Sequence, residues 1–177
     1  VLIQSEGFRE YVLNQGIPNN KIIYYPNPTE AFYRPLQKVK EYQEFFKNEF
    51  FNIVFAGNIG EAQSFKTIIE SINNIKELQV KLIVLGDGRD KETALSLIKE
   101  KGLQSHFNFL GSFPPTEMPK FFSYADALLV SLKKDKIFSL TIPAKIQSYL
   151  ACGKPIIASI DGEGAKIVND AKSGMSS

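Results

Sequence analysis

Cysteine is nearly absent from this chain of 177 residues: only Cys152 is present, so no internal disulfide can form, and the sequence fits a reducing environment rather than a secreted one. Histidine is as scarce. The only one, His106, precedes an apolar run and has no Ser, Cys or Asp arrangement around it to make it catalytic, so a surface or capping role is expected. No residues show zinc-ligand spacing. Long apolar runs are missing too: ALLVSL at 127–132 has strand length and is far short of the ~20 residues that cross a bilayer. The formal net charge is only +2, so no global field marks a nucleic-acid binder and any anion site must be local. Neither G-x-G-x-x-G nor the Walker pattern occurs, which argues against a dehydrogenase and a P-loop enzyme.

What is present is a regular alternation. The apolar runs NIVFAG (52–57), VKLIVLG (80–86), FNFLG (107–111), ALLVSL (127–132) and PIIAS (155–159) are each followed by an amphipathic stretch, with Phe65, Ile68, Ile69 and Ile72 a clear helical stripe. Five nearly all-apolar strands interleaved with helices predict an α/β fold, a doubly wound, mostly parallel sheet covered on both faces. Upstream, VLIQ and IIYY (22–25) read as short strands flanking a helix with Phe8, Tyr11 and Val12 on one face. The run PNPTEAFYRP (26–35), with three prolines, reads as a linker, and residues 38–49 as a short exposed helix. Val1 is not an initiator methionine and VLIQSE begins as a strand in progress, so a piece of a longer protein is expected.

Ligands of doubly wound sheets sit beyond the carboxyl ends of the strands. Three glycine-marked turns stand there: AGNIG with Gly57, Asn58 and Gly60, LGDGR with Gly86 and Gly88, and LGSF with Phe113. Such turns let backbone approach a phosphate, or they are simply tight turns. After the fourth strand comes a basic loop with Lys133, Lys134 and Lys136, ordinarily solvated, and then the helix of TIPAKIQSYLACGKP. Its first turn carries Lys145, close behind Pro143. A cation at a helix N-terminus is unfavourable by roughly 0.3–1 kcal/mol unless an anion is bound nearby. A diphosphate there would explain the lysine. Glu163, in DGEG, stands at a helix start, where an exposed glutamate favoured by the helix dipole is the commoner meaning.

These segments together resemble the C-terminal half of a GT-B glycosyltransferase of the retaining family 4 type. The resemblance lies in VLIQSEGFREYVLNQGIPNNKIIYYPNPTEAFYRP, GNIGEAQSF, LIVLGDGRDKET, FLGSFPPTEMPKFFSYADALLVSL and YLACGKPIIAS, in that order; the Gly-Asn-x-Gly-x-x-Gln version of the first turn is similar to that of fucosaminyltransferases. It implies a Rossmann-like nucleotide-sugar-binding domain over residues 36–177 and, over 1–35, a bridge from an N-terminal acceptor domain. It also implies a UDP-sugar donor, a lipid-linked or polysaccharide acceptor of bacterial O-antigen, lipopolysaccharide or capsule synthesis, a cytoplasmic location with peripheral attachment to the inner membrane through the other domain, and no metal or cofactor. By this resemblance the donor site draws on Gly57, Asn58, Gly60, Gly86, Gly88, Phe113, Lys133, Pro143, Lys145 and Glu163; no catalytic residue is assigned, and the fragment alone is expected to be inactive. Asn58 and Gln63 stand where the family usually has an arginine and a lysine, and Leu140 and Ser148 where it has two glutamates. The competing readings are a UDP-amino-sugar 2-epimerase-like domain and a non-catalytic α/β interaction module.

Overall fold

A computed structural model describes residues 1–177. The N-terminal segment holds β1 (Leu2–Ile3), α1 (Arg9–Asn14) and β2 (Ile23–Tyr24), with the two short strands paired in parallel, Leu2 beside Ile23. Tyr11 is exposed, so the apolar face of α1 is narrower than its sequence suggests. Residues 26–35 form no helix or strand, as three prolines dictate.

The main sheet then begins: β3 (Phe51–Ala56), α2 (Phe65–Asn74), β4 (Val80–Leu85), α3 (Lys91–Glu100), β5 (Phe107–Gly111), α4 (Met118–Tyr124), β6 (Ala127–Ser131), α5 (Lys136–Leu140), α6 (Ala144–Ala151), β7 (Ile156–Ser159), α7 (Gly162–Asp170) and β8 (Gly174–Ser176). Six parallel strands lie in the order β5-β4-β3-β6-β7-β8. The chain starts in the middle, at β3, winds outward through β4 and β5, and returns to β6 on the other side of β3. Between β3 and β6 the connecting helices change faces, which opens a crevice at the carboxyl ends of these strands.

Each face has its own core. Phe65, Ile68, Ile69 and Ile72 of α2, with Ala94 and Ile98 of α3, cover Ile53, Phe55, Leu82 and Val84 on one side. On the other, Phe121 and Phe122 of α4, Ile146 and Tyr149 of α6 and Val168 of α7 cover Val54, Ile83, Leu128 and Ile156. Strands buried on both faces can be apolar at most positions, as these are, with Asn52, Lys81, Asn108, Ser131 and Ser159 the polar exceptions in β3 to β7.

Four features differ from the sequence reading. The 38–49 region holds a 3₁₀ helix, Lys40–Phe45; its Tyr42, and Phe46 just after it, are buried against Phe121 and Tyr124, so the region is a packed strap and not an exposed helix. His106 is buried, its Nδ1 2.9 Å from the Val80 carbonyl, and is neither at the surface nor at a helix cap. The basic loop contains α5, capped by Asp135, whose carboxylate accepts from the Ile137 N–H. Finally, β8 is a sixth strand that Gly-Met-Ser would not announce; it exists because β7 offers a free edge.

Candidate functional site

The turns after β3, β4 and β5 lie backbone against backbone. The Gly57 N–H donates to the Leu85 carbonyl at 2.8 Å, the Ile59 N–H to the Asp87 carbonyl at 2.9 Å, and the Gly86 N–H to the Gly111 carbonyl at 2.7 Å. This contact demands glycine. A Cβ on Gly86, whose φ is +144°, would stand 1.9 Å from the Gly57 oxygen, and one on Gly88 2.2 Å from the Ile59 oxygen. The glycines therefore let two turns stack, and their stacking leaves a cavity of about 380 Å³ at the strand ends. Gly57, Asn58, Gly86, Asp87 and Ser112 bring polar atoms to it, while Phe113, Tyr33, Leu85 and Met118 form an apolar wall.

Lys145 comes to the Gly57 turn from α6, on the same face of the sheet as α4. It is the second residue of α6, behind Pro143, which sits at the N-cap with φ −60° and ψ 131°. Its stem is half-buried but its ammonium is buried, and Nζ has no hydrogen-bond partner. Nζ lies 4.2 Å from the centroid of the Phe55 ring and 2.7 Å from where a Cβ on Gly57 would be. Burial pushes its pKa down from 10.5 to about 8. An unpaired buried cation is unfavourable by itself, and only the ring face offsets part of that. The α6 N-terminus adds to the cost, because its first N–H groups are also unpaired within the helix and carry partial positive charge. Both features favour an anion at the Gly57 turn. Tyr149, fully buried in the same helix, holds that turn in place: its hydroxyl accepts the Ala56 N–H at 3.3 Å, and desolvation raises its pKa.

The remaining candidates stand elsewhere. Gly60 is buried next to the Asn58 and Gln63 side chains, and the Gln63 Oε1 is itself buried without a partner. Lys133 is drawn away by Glu61 at 2.6 Å and lines a separate cavity of about 290 Å³ with Ser131, Ser159 and Asp161. The ion pair raises the Lys133 pKa and lowers that of Glu61. Glu163 lies at the start of α7 beside Gly7 and Leu140, on the side of the N-terminal segment. Sequence reasoning missed Tyr33, Asp87, Ser112 and Met118 as cavity residues. Asp87 had a visible signal, since it lies between Gly86 and Gly88 at a strand end. Tyr33 had none. No three His, Cys, Asp or Glu side chains converge into a metal-binding group, and no helix is long and apolar enough to cross a membrane.

A doubly wound parallel sheet with a cavity of mixed polarity over the carboxyl ends of β3, β4 and β5 is the arrangement of α/β domains that take a ligand at their strand ends. The family profile of "Glycosyl transferases group 1" matches residues 37–176, and the chain belongs to that family. Its fold is that of the C-terminal, Rossmann-like half of GT-B glycosyltransferases. It is similar to Anabaena HepE, solved in complex with UDP, with a TM-score of 0.81 and 16% identity over 100% of this chain and 49% of that one. It is also similar to WaaG, a glycosyltransferase involved in lipopolysaccharide biosynthesis, with a TM-score of 0.77 and 12% identity over 99% and 48%. A mutant of S. aureus TarM, solved with UDP among its ligands, gives 0.74 and 17% over 99% and 33%. The chain thus spans about half the length of HepE and WaaG. No curated protein matches it by sequence.

Proposed function

We propose that this chain is the donor-binding half of a retaining, family 4 glycosyltransferase that uses a UDP-sugar. The observation that carries this reading is the buried, unpaired Lys145 ammonium against the Gly57 turn, whose other side lines a cavity with one apolar wall. A nucleoside diphosphate fits both parts: its diphosphate takes the lysine and the α6 N-terminus, and its base takes the side of Phe113. The UDP bound by HepE and TarM favours uracil as the base.

Transfer breaks the bond between the sugar's anomeric carbon and the diphosphate oxygen and forms one from that carbon to an acceptor oxygen, whose proton is released. Negative charge grows on the departing diphosphate. Lys145, the Asn58 N–H and the first N–H groups of α6 are fixed in advance where that charge appears, so they stabilise it without reorganisation, whereas the Gly57 and Ile59 N–H groups are already given to the Leu85 and Asp87 carbonyls. In this reading no metal or organic cofactor is needed. Residues 1–35 serve as the bridge from an N-terminal domain that binds the acceptor, and 36–177 as the nucleotide-sugar unit. The sugar reaches from the cavity toward Glu163 and Leu140, which border the bridge. In this reading the acceptor is lipid-linked or a polysaccharide of lipopolysaccharide, O-antigen or capsule synthesis, handled at the cytoplasmic face of the inner membrane; the involvement of WaaG in lipopolysaccharide biosynthesis supports the first of these. The Gly-Asn-x-Gly-x-x-Gln turn favours a donor among amino sugars of the fucosaminyl type.

A thermal-shift panel of UDP, GDP, ADP, UDP-GlcNAc and NAD tests the reading, because a ligand that binds only the folded state raises its melting temperature. A rise with the uridine compounds alone is expected. A flat panel would leave a non-catalytic α/β module as the better description.

A further inference from the structure

Tyr33 belongs to no helix or strand and to none of the chemistry described above, yet its ring forms part of the cavity wall that also contains Gly57, Gly86 and Phe113. It comes from the proline-rich connection of residues 26–35. A connection of this kind would ordinarily run free over the surface. Here it is pinned. The Tyr33 ring stacks on Phe122 with an interplanar angle of 15° and centroids 6.4 Å apart, and Phe32 leans on it at 4.6 Å. Two residues later Pro35 packs against Gly153, its Cγ 3.5 Å from where a Cβ would stand. Phe122 in turn meets Tyr149 edge-on at 5.1 Å, and Tyr149 holds the Ala56 N–H beside the Gly57 turn.

A flat aromatic ring, held by a second ring behind it and left half-exposed toward a cavity, is a platform for a planar ligand group. Bases stack on such platforms whatever their sequence identity, because every base has a π-face. The cavity's polar end already belongs to the diphosphate, so the aromatic end is left for the nucleoside. Resting on the donor-binding reading above, we infer that the nucleobase packs against Tyr33 as well as Phe113, so that the connecting segment is itself part of the donor site and is held in place by bound nucleotide.

Calorimetric titration of the 177-residue chain with UDP and with inorganic pyrophosphate, for wild type, Tyr33→Phe and Tyr33→Ala, decides the point. Tyr33→Ala should weaken UDP about tenfold or more and leave pyrophosphate unchanged, while Tyr33→Phe keeps both affinities. Unchanged pyrophosphate binding also shows that the variant is folded. In the wild type, UDP but not pyrophosphate should slow amide hydrogen exchange over residues 29–34. Equal UDP affinity in Tyr33→Ala and wild type would overturn the contact while leaving the donor site standing. Parallel loss of UDP and pyrophosphate would also overturn it, since that marks a ring that only supports Phe122. A wild-type chain that binds neither ligand would instead bring down the donor reading and this inference with it.

Discussion

The Lys145 ammonium lies 2.7 Å from the position that a Cβ on Gly57 would occupy, without a hydrogen-bond partner, so the lysine and the turn are built around one another. With its pKa near 8, this cation is only partly charged in mildly alkaline solution. A bound diphosphate favours the protonated form. Nucleotide binding at pH 8 should therefore draw in about half a proton, read by calorimetry in buffers of different ionisation enthalpy. Affinity for UDP should hold steady below pH 8 and fall above it, toward about tenfold per pH unit. A pH-independent affinity between 7 and 9.5 would show that Lys145 does not face the ligand.

Removing this lysine should make the empty domain more stable. In the unfolded chain Lys145 keeps its proton up to the ordinary 10.5, whereas in the folded chain it loses it near 8. Between those values the unfolded state binds more protons, so stability rises with pH there, and below 8 the burial penalty is fully present. Lys145→Met keeps the packing on Phe55 and removes the charge. It should raise stability at pH 7 by roughly 1–3 kcal/mol, abolish the alkaline rise in urea-unfolding free energy, and lose UDP binding. Lower stability at pH 7 would mean that the ammonium has a partner.

The stacked turns predict a sharp contrast between two glycines that share a positive φ. Gly86→Ala puts a methyl group 1.9 Å from the Gly57 carbonyl oxygen, whereas Gly16, at φ +83°, has nothing within 4 Å. The first substitution should cost at least about 3 kcal/mol in urea unfolding and eliminate donor binding. The second carries only backbone strain, about 1 kcal/mol, and should leave binding alone. Equal costs would mean that the turns do not touch.

Much of the fold could be read in the residues because its strands are buried on both faces. NIVF, LIVL and ALLV leave little alternative to a covered parallel sheet, and α2 shows its stripe plainly. Where the reading failed, the deciding contact is remote in sequence. Gly174, Met175 and Ser176 form a strand only against β7, with Gly174 beside Ile156 and Met175 beside Ile157, and Tyr42 is buried only because Phe121 lies across from it. The site divides in the same way. Lys145 was visible as a cation in the wrong part of a helix, and the glycines as turn residues. That Tyr33 would join them depends on Phe122, far along the chain, and no local pattern carries that information.

Two lysines at strand ends also separate by what already surrounds them. Lys133 donates to Glu61 at 2.6 Å, and both side chains are well exposed, at 40% and 63%. Its charge is compensated and its pair is open to water, so little free energy depends on it. Lys133→Ala should leave the melting temperature and UDP affinity nearly unchanged, whereas Lys145→Ala should abolish binding, with calorimetry of the two variants side by side as the measurement. A comparable loss in both would mean that Lys133 leaves Glu61 for the ligand. That exchange would require the loop after β6 to move, because the Lys133 N–H is fixed to the Ala62 carbonyl at 2.8 Å. In that case the rate of binding, and not only its strength, should respond when Glu61→Gln loosens the pair.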